Sequence, residues 1–229
     1  MQAQKILASA CGAVLILSLP FFLALTTILP LISRPFLRLQ YTRPDVPASA
    51  KFSPQQRQAI AEAAFYYPFS NEDIDYLADL RGEDGLPLFN ERELTHMVDV
   101  QAFAHRGLVV DLVLGVLVVA SLGILASLPQ LRVKLPGYLF AASLVAPGLA
   151  VAALVVVPLQ FQWFMITFHQ LFFTGDTWLF PRTDTLIQLF PEQFWFNGVQ
   201  TWLLLVIAES AAIAIGSYLW ARRRRATSP

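Results

Sequence analysis

Apolar positions in this chain gather into long uninterrupted runs, separated by stretches in which charged, aromatic and turn-forming residues concentrate. Four runs stand out, at residues 6–32, 107–128, 138–161 and 199–220. Each reaches the roughly 20 residues a helix needs to cross the hydrocarbon core of a bilayer, so each predicts a membrane-spanning helix. Pro20, Pro147 and Pro158 fall within the runs or near their ends. A proline there leaves a carbonyl that a neighbouring helix or water must satisfy.

The segment between the first and second runs, residues 33–106, has the pattern of a small folded cap. Arg34-Pro35 ends the first helix, and residues 40–47 read as extended. Ser53-Pro54-Gln55-Gln56 opens a helix that reaches about Phe65, with serine as the cap and proline in the first turn. Tyr66-Tyr67-Pro68 ends it. Residues 70–73 start a second short helix with Ile74, Leu77 and Leu80 on one face. Residues 82–87 form a turn. Asn90-Glu91-Arg92-Glu93 caps a third helix, which continues through His96, Asp99 and His105 into the second run.

Composition agrees with a membrane protein. The chain has 229 residues, 56% of them hydrophobic and only 14% charged, and its mean hydropathy is +0.55. That is too apolar for an ordinary soluble domain. A formal net charge of zero points to no nucleic-acid partner. The single cysteine, Cys11, excludes an internal disulfide framework and a cysteine-rich metal site, and reads as a small packing thiol. The first run is too long for a cleaved signal peptide and lacks a convincing cleavage site.

Charge placement gives an orientation. Lys5, Arg132 with Lys134, and Arg222 to Arg225 flank the runs on one side, which the positive-inside rule makes cytoplasmic. Both termini are then cytoplasmic. The expected architecture is an all-α membrane protein: a four-helix transmembrane bundle, one integral domain, with an extracytoplasmic cap formed by loops 33–106 and 162–198.

Two stretches carry candidate chemistry. Residues 168–195 combine boundary-type aromatics such as Trp178, Phe180, Phe190, Phe194 and Trp195 with His169, Asp176, Arg182 and Asp184. Residues 90–101 place Arg92, His96, Asp99 and Phe103 at spacings of three and four, on one helical face. Asp99, one turn beyond His96, is positioned to accept a hydrogen bond from one imidazole nitrogen and leave the other free to act. His169 falls on the same side of the membrane as His96, as an acid/base pair or a metal pair would require. His105 sits where the second run begins and reads as a headgroup anchor. Asp111 reads as a structural group holding Arg106 or Arg34. Glu209 lies nearer mid-span with no evident partner.

Several chemistries are absent. There is no Gly-x-Ser-x-Gly, no His-Glu-x-x-His and no phosphate-binding glycine loop. Histidine-centred proton transfer with a few carboxylates and an arginine remains. Two readings stand on the residues alone: a metal-dependent membrane lipid-ester hydrolase with His96, His169 and an aspartate as ligands, and a non-catalytic lipid- or peptide-binding protein.

The segment Asn90 to Val100, NERELTHMVDV, resembles the first motif of a family of small four-span bacterial membrane proteins, the lipoprotein intramolecular transacylases. The segment FHQLFF from Phe168, then Asp176, Trp178, PRTDTLI from Pro181, Phe190-Pro191 and Phe194-Trp195 resemble its second motif. The resemblance implies an acyltransferase in the bacterial cytoplasmic membrane, acting on the extracytoplasmic side. Its substrate would be a diacylglyceryl-modified lipoprotein among the membrane lipids, and no cofactor would be needed. The sn-2 acyl chain would move to the α-amino group of the N-terminal cysteine, giving the lyso form. Either His169 or His96 would shuttle the proton, and the other would orient the reacting groups or donate to the oxyanion. Asp99 and either Asp176 or Asp184 would hold the imidazoles, Arg182 would steady a carbonyl, and Arg92 and Trp178 would support the site.

Overall fold

The computed structural model describes residues 2–226. Ten α-helices account for most of the chain, and no strand occurs among the described residues. They are α1 (Gln2–Thr26), α2 (Arg34–Thr42), α3 (Pro54–Tyr66), α4 (Asp75–Ala78), α5 (Glu91–Ser127), α6 (Pro129–Arg132), α7 (Leu135–Leu159), α8 (Phe161–Phe172), α9 (Thr185–Leu189) and α10 (Glu192–Ala226). Four helical segments are long and apolar enough to cross a membrane: Gln2–Leu31, Glu91–Ser127, Leu135–Leu159 and Glu192–Ala226.

The caps explain where the helices begin. Ser53 Oγ accepts from the Gln56 amide, and the Gln56 side chain accepts from the Ser53 amide at 2.9 Å, with Pro54 at the first helical position. The same reciprocal arrangement opens α5. Asn90 Oδ1 accepts from the Glu93 amide at 3.0 Å, and Glu93 Oε2 accepts from the Asn90 amide at 2.9 Å. Arg34-Pro35 does not simply end the first helix. Ser33 accepts from the Phe36 amide and starts α2, with proline in its first turn, so the stretch through Thr42 expected to be partly extended is helical. Residues 162–198, expected as a loop, contain α8, α9 and the first turns of α10.

The chain divides into two compact units. Residues 1–28, 108–155 and 201–229 form one, and residues 29–107 and 156–200 the other. In the first, Ala8, Cys11, Leu15, Leu19, Val118, Leu125, Leu131, Leu135 and Ala142 are buried against one another, and Trp220 packs on them. Gly12 lets the Tyr138 ring lie against α1, since a β-carbon would come within 2.3 Å of the ring as it stands. Many large apolar side chains of this unit point outward, including Leu112, Val119 and Leu149, as lipid-facing surfaces do. Its two acidic side chains find hydroxyl partners. Thr26 donates to Asp111 at 3.0 Å, in place of the expected arginine, and Thr27 Oγ lies 2.8 Å from Glu209 Oε2.

The second unit has its own core of Leu37, Ala61, Ala64, Tyr67, Leu77, Phe89, Met97, Leu186, Leu189, Phe190 and Phe194. Arg57 is buried within it and donates to the carbonyls of Pro47 at 2.8 Å and Leu189 at 3.1 Å. Its guanidinium lies 4.4 Å over the Tyr41 ring, and the Tyr41 hydroxyl donates to the same Leu189 carbonyl at 2.8 Å. These bonds tie α2 and α3 to the end of α9. His105 Nε2–H donates to the Ser70 carbonyl at 2.9 Å, so it anchors the turn after α3 rather than a headgroup.

Candidate active site

The site lies in the second unit, where the first turns of α5 meet α8 and the loop that follows it. The helix α5 is 37 residues long, far more than a bilayer crossing needs. Its first four turns precede the apolar run from Gly107 and carry the motif residues. Helix α8 begins afresh after α7 because Gln160 leaves helical geometry at φ −138° and ψ 40°. The inward face of α8 presents Phe161, Phe164, Met165, Phe168 and His169, at the spacing of three and four that one helical face requires.

His96 from α5 and His169 from α8 come together. Their rings stack with centroids 5.9 Å apart and planes 28° from parallel. Phe173 touches both, at 5.3 Å from His96 and 5.5 Å from His169. Phe180 packs its edge against His96 at 5.3 Å, and Trp178 stacks on His169 at 4.9 Å. Phe103 closes the seam with Phe168, Phe172 and Phe173. The two imidazoles therefore sit inside an aromatic box.

Hydrogen bonding distinguishes them. His169 Nδ1–H donates to the Met165 carbonyl at 2.7 Å, one turn back on the same helix. That bond fixes the tautomer and leaves Nε2 with its lone pair. His96 is only 8% exposed, and its Nδ1 is buried with no hydrogen-bond partner. Burial pushes the His96 imidazole down to about 4, with His169 adding a smaller push in the same direction. Burial also lowers His169, against which the Met165 carbonyl pulls upward. Both rings are thus held neutral at ordinary pH.

The carboxylates are not where sequence spacing put them. No hydrogen bond links Asp99 to His96, because the ring has turned away toward Phe173 and Phe180. Asp176 is exposed in the turn that ends at Leu179 and holds neither ring. Asp184 accepts from Arg92 at 2.9 Å instead. Arg182 is exposed, and its backbone carbonyl accepts from Gln188 at 2.7 Å. Arg92 reaches the site indirectly: its guanidinium lies 5.6 Å over the Phe180 ring, whose edge rests on His96. Among the described residues, no group of three or more His, Cys, Asp or Glu side chains is gathered as a metal would require. The three-ligand set of the hydrolase reading is not assembled.

One residue the motif reading passed over is central. Glu93 is 1% exposed, and besides capping α5 its Oε1 accepts from the Leu186 amide at 2.7 Å. Burial raises its carboxyl above the usual range, while the two backbone amides oppose that shift. Thr185 donates to the Leu88 carbonyl and accepts from Lys51 Nζ at 2.9 Å. Together these bonds lock α9 to the start of α5, one turn before His96. The capping-box pattern was a signal for the first role of Glu93. Nothing in the sequence marks the second, because its partner is a backbone amide.

Comparison with known proteins identifies the family and the fold. The sequence profile described as "Lipoprotein intramolecular transacylase Lit" matches residues 13–195. An uncharacterized protein of Aquifex aeolicus is 25% identical over 167 residues, covering 72% of this chain and 74% of the relative. The crystal structure of the membrane-integral lipoprotein intramolecular transacylase Lit from Bacillus cereus superposes with a TM-score of 0.68 at 19% identity, over 98% of this chain and 100% of the other. A variant of it with one histidine replaced by alanine superposes with a TM-score of 0.71 at 17% identity, over 99% of each. With the profile matching well over half its length, the chain belongs to the Lit family of lipoprotein intramolecular transacylases.

Proposed function

We propose that the enzyme moves the sn-2 acyl chain of a diacylglyceryl lipoprotein to the α-amino group of the lipoprotein's N-terminal cysteine. The observation that carries this reading is the pair of neutral imidazoles in an aromatic box, one with its tautomer fixed. Ester-to-amide transfer needs a base that is unprotonated before attack and can return the same proton afterwards. A carbonyl-anchored neutral histidine meets that need.

In this reading His169 Nε2 takes a proton from the amine as its nitrogen attacks the sn-2 ester carbonyl. The carbonyl π pair moves onto oxygen, and a tetrahedral oxyanion forms. His96, kept neutral by burial, offers an N–H toward that charge; its Nδ1 side lacks any protein partner. Collapse re-forms the carbonyl, breaks the carbon–oxygen bond and returns the His169 proton to the glycerol oxygen. The products are an amide and a secondary alcohol on one molecule. Since amine and ester belong to the same substrate, holding them together supplies much of the acceleration. Aromatic walls fit such a substrate, exclude water and suppress hydrolysis.

In this reading both termini are cytoplasmic and the histidines lie on the extracytoplasmic side of the bacterial membrane, which the basic residues flanking the runs support. The partners are the diacylglyceryl lipoprotein and membrane lipids.

The test is mass spectrometry of a reporter lipoprotein's N-terminal peptide, from a host that makes diacyl lipoprotein and lacks its own N-acylating enzyme. The expected product has unchanged total mass, with fragmentation placing one chain on the amine. A peptide lighter by one acyl chain would identify a hydrolase instead.

A further inference from the structure

The first unit carries an unassigned feature near the end of α10. Gly216, Leu219, Trp220 and Arg223 line a slot of about 320 Å³. These positions share one helical face at spacings of three, four and seven. Gly216 is exposed, and a β-carbon there would meet nothing within 4 Å. Glycine is unfavourable in a helix interior, and no neighbour requires it at this position. Its effect is to keep the apolar part of the slot open.

Trp220 packs into the cluster that contains Ala8, Leu131 and Leu135. Those anchors bring Lys5, Arg132 and Lys134 to the same end of the unit as Arg222 to Arg225. Residues 2–10, 127–138 and 211–226 contain no aspartate or glutamate, although the whole chain has a net charge of zero. Arg224 lies 5.5 Å over the Trp220 ring and Arg222 lies 5.9 Å over the Tyr218 ring. The end is therefore strongly cationic, aromatic-lined, and continuous with an apolar cleft on a lipid-facing helix.

We propose that this slot binds one anionic phospholipid, with an acyl chain along Gly216 and Leu219 and the phosphodiester at Arg223 beside Trp220. Arginine presents a planar fork that matches two phosphate oxygens. A tryptophan at that depth suits the boundary between acyl chains and headgroups. Clustered cations beside a spanning helix favour anionic over zwitterionic lipid. The combination of an open apolar groove and an arginine at its end distinguishes a site from a diffuse basic surface.

The test uses the purified full-length protein equilibrated with equal amounts of phosphatidylglycerol and phosphatidylcholine of matched chains, followed by native mass spectrometry. The expected result is one retained phosphatidylglycerol in preference to phosphatidylcholine. Arg223→Gln should reduce that preference about fivefold. Gly216→Leu should reduce retention comparably while every charge remains, since a β-carbon there meets nothing within 4 Å and the rest of the side chain occupies the slot. Circular dichroism would establish that both variants are folded. Equal retention of the two lipids by the wild type would overturn the proposal. So would an unchanged preference in both folded variants, or displacement of the lipid by inorganic phosphate at equal concentration.

Discussion

His96 and His169 come from different helices and stack at 5.9 Å, yet among the described residues no carboxylate hydrogen-bonds to either ring. Their neutrality is set by burial among Phe173, Trp178 and Phe180. Their orientation is set by ring packing and, for His169, by the Met165 carbonyl. The arrangement suits a proton shuttle that begins and ends each turnover uncharged.

Removing either imidazole should abolish most of the activity. His169→Ala should lower the transfer rate by about 10² to 10⁴, the usual contribution of a general base. His96→Ala should lower it by about 10² to 10³, as for loss of one oxyanion donor. Rates of reporter conversion in membranes, normalised to folded enzyme, would check both. A double replacement that retains full activity would remove the mechanism.

Stability should fall on the acid side, with His96 contributing. In the unfolded chain His96 binds a proton below about 6.5, whereas the folded ring stays neutral down to about 4. Its contribution to stability is therefore complete above pH 6.5 and is lost as pH falls from 6.5 through 4. Thermal midpoints in detergent measured across that window should decline less steeply in His96→Phe than in the wild type. Parallel curves would contradict the assignment.

The four spans, the α3 and α5 starts and the two histidine-bearing segments were legible in the sequence; that the two histidines meet was not. Those features are written in side-chain identity: apolar runs, Ser53 and Asn90 caps, and histidines within marked motifs. The details of the site were not legible. The spacing of His96 and Asp99 placed them on one face, but packing turned the imidazole toward rings from a distant segment. His169 and Glu93 bond to backbone groups at Met165 and Leu186, and any residue type supplies those groups. Helix α8 was hidden because the break at Gln160 is a backbone event within an almost continuous apolar stretch.

Trp178 should act through His169. Its ring stacks at 4.9 Å and helps bury the imidazole. Trp178→Ala should admit water and raise the His169 ionisation back toward 6.5, moving the acid limb of the rate profile to higher pH, while Trp178→Phe should largely restore it. Imidazole chemical shifts titrated by NMR would report the change. An unshifted titration in a folded Trp178→Ala variant would contradict the role.

The Arg92–Asp184 pair should matter more to rate than to stability. Arg92 is 43% exposed, so the ion pair contributes less than about 1 kcal/mol. Yet it holds the guanidinium over Phe180, which rests on His96. Asp184→Asn should shift the thermal midpoint little while slowing transfer about tenfold, through loss of alignment. Equal percentage losses in both quantities would indicate a purely structural pair.

Glu93→Gln tests the lock between α5 and α9. Glutamine offers one carbonyl oxygen where two backbone amides now donate. The unpaired buried amide should cost about 1 to 3 kcal/mol. Hydrogen exchange should show early opening at Leu186 in the variant, and unchanged protection there would contradict the lock.

Whether acyl transfer stays within one molecule is the central claim, and a crossover experiment tests it most directly. Two reporter lipoproteins of different peptide mass, one carrying isotope-labelled acyl chains and the other unlabelled, would be mixed with the enzyme in one membrane. The account predicts that every N-acylated product keeps the label state of its own peptide. Products pairing the labelled chain with the unlabelled peptide would contradict it.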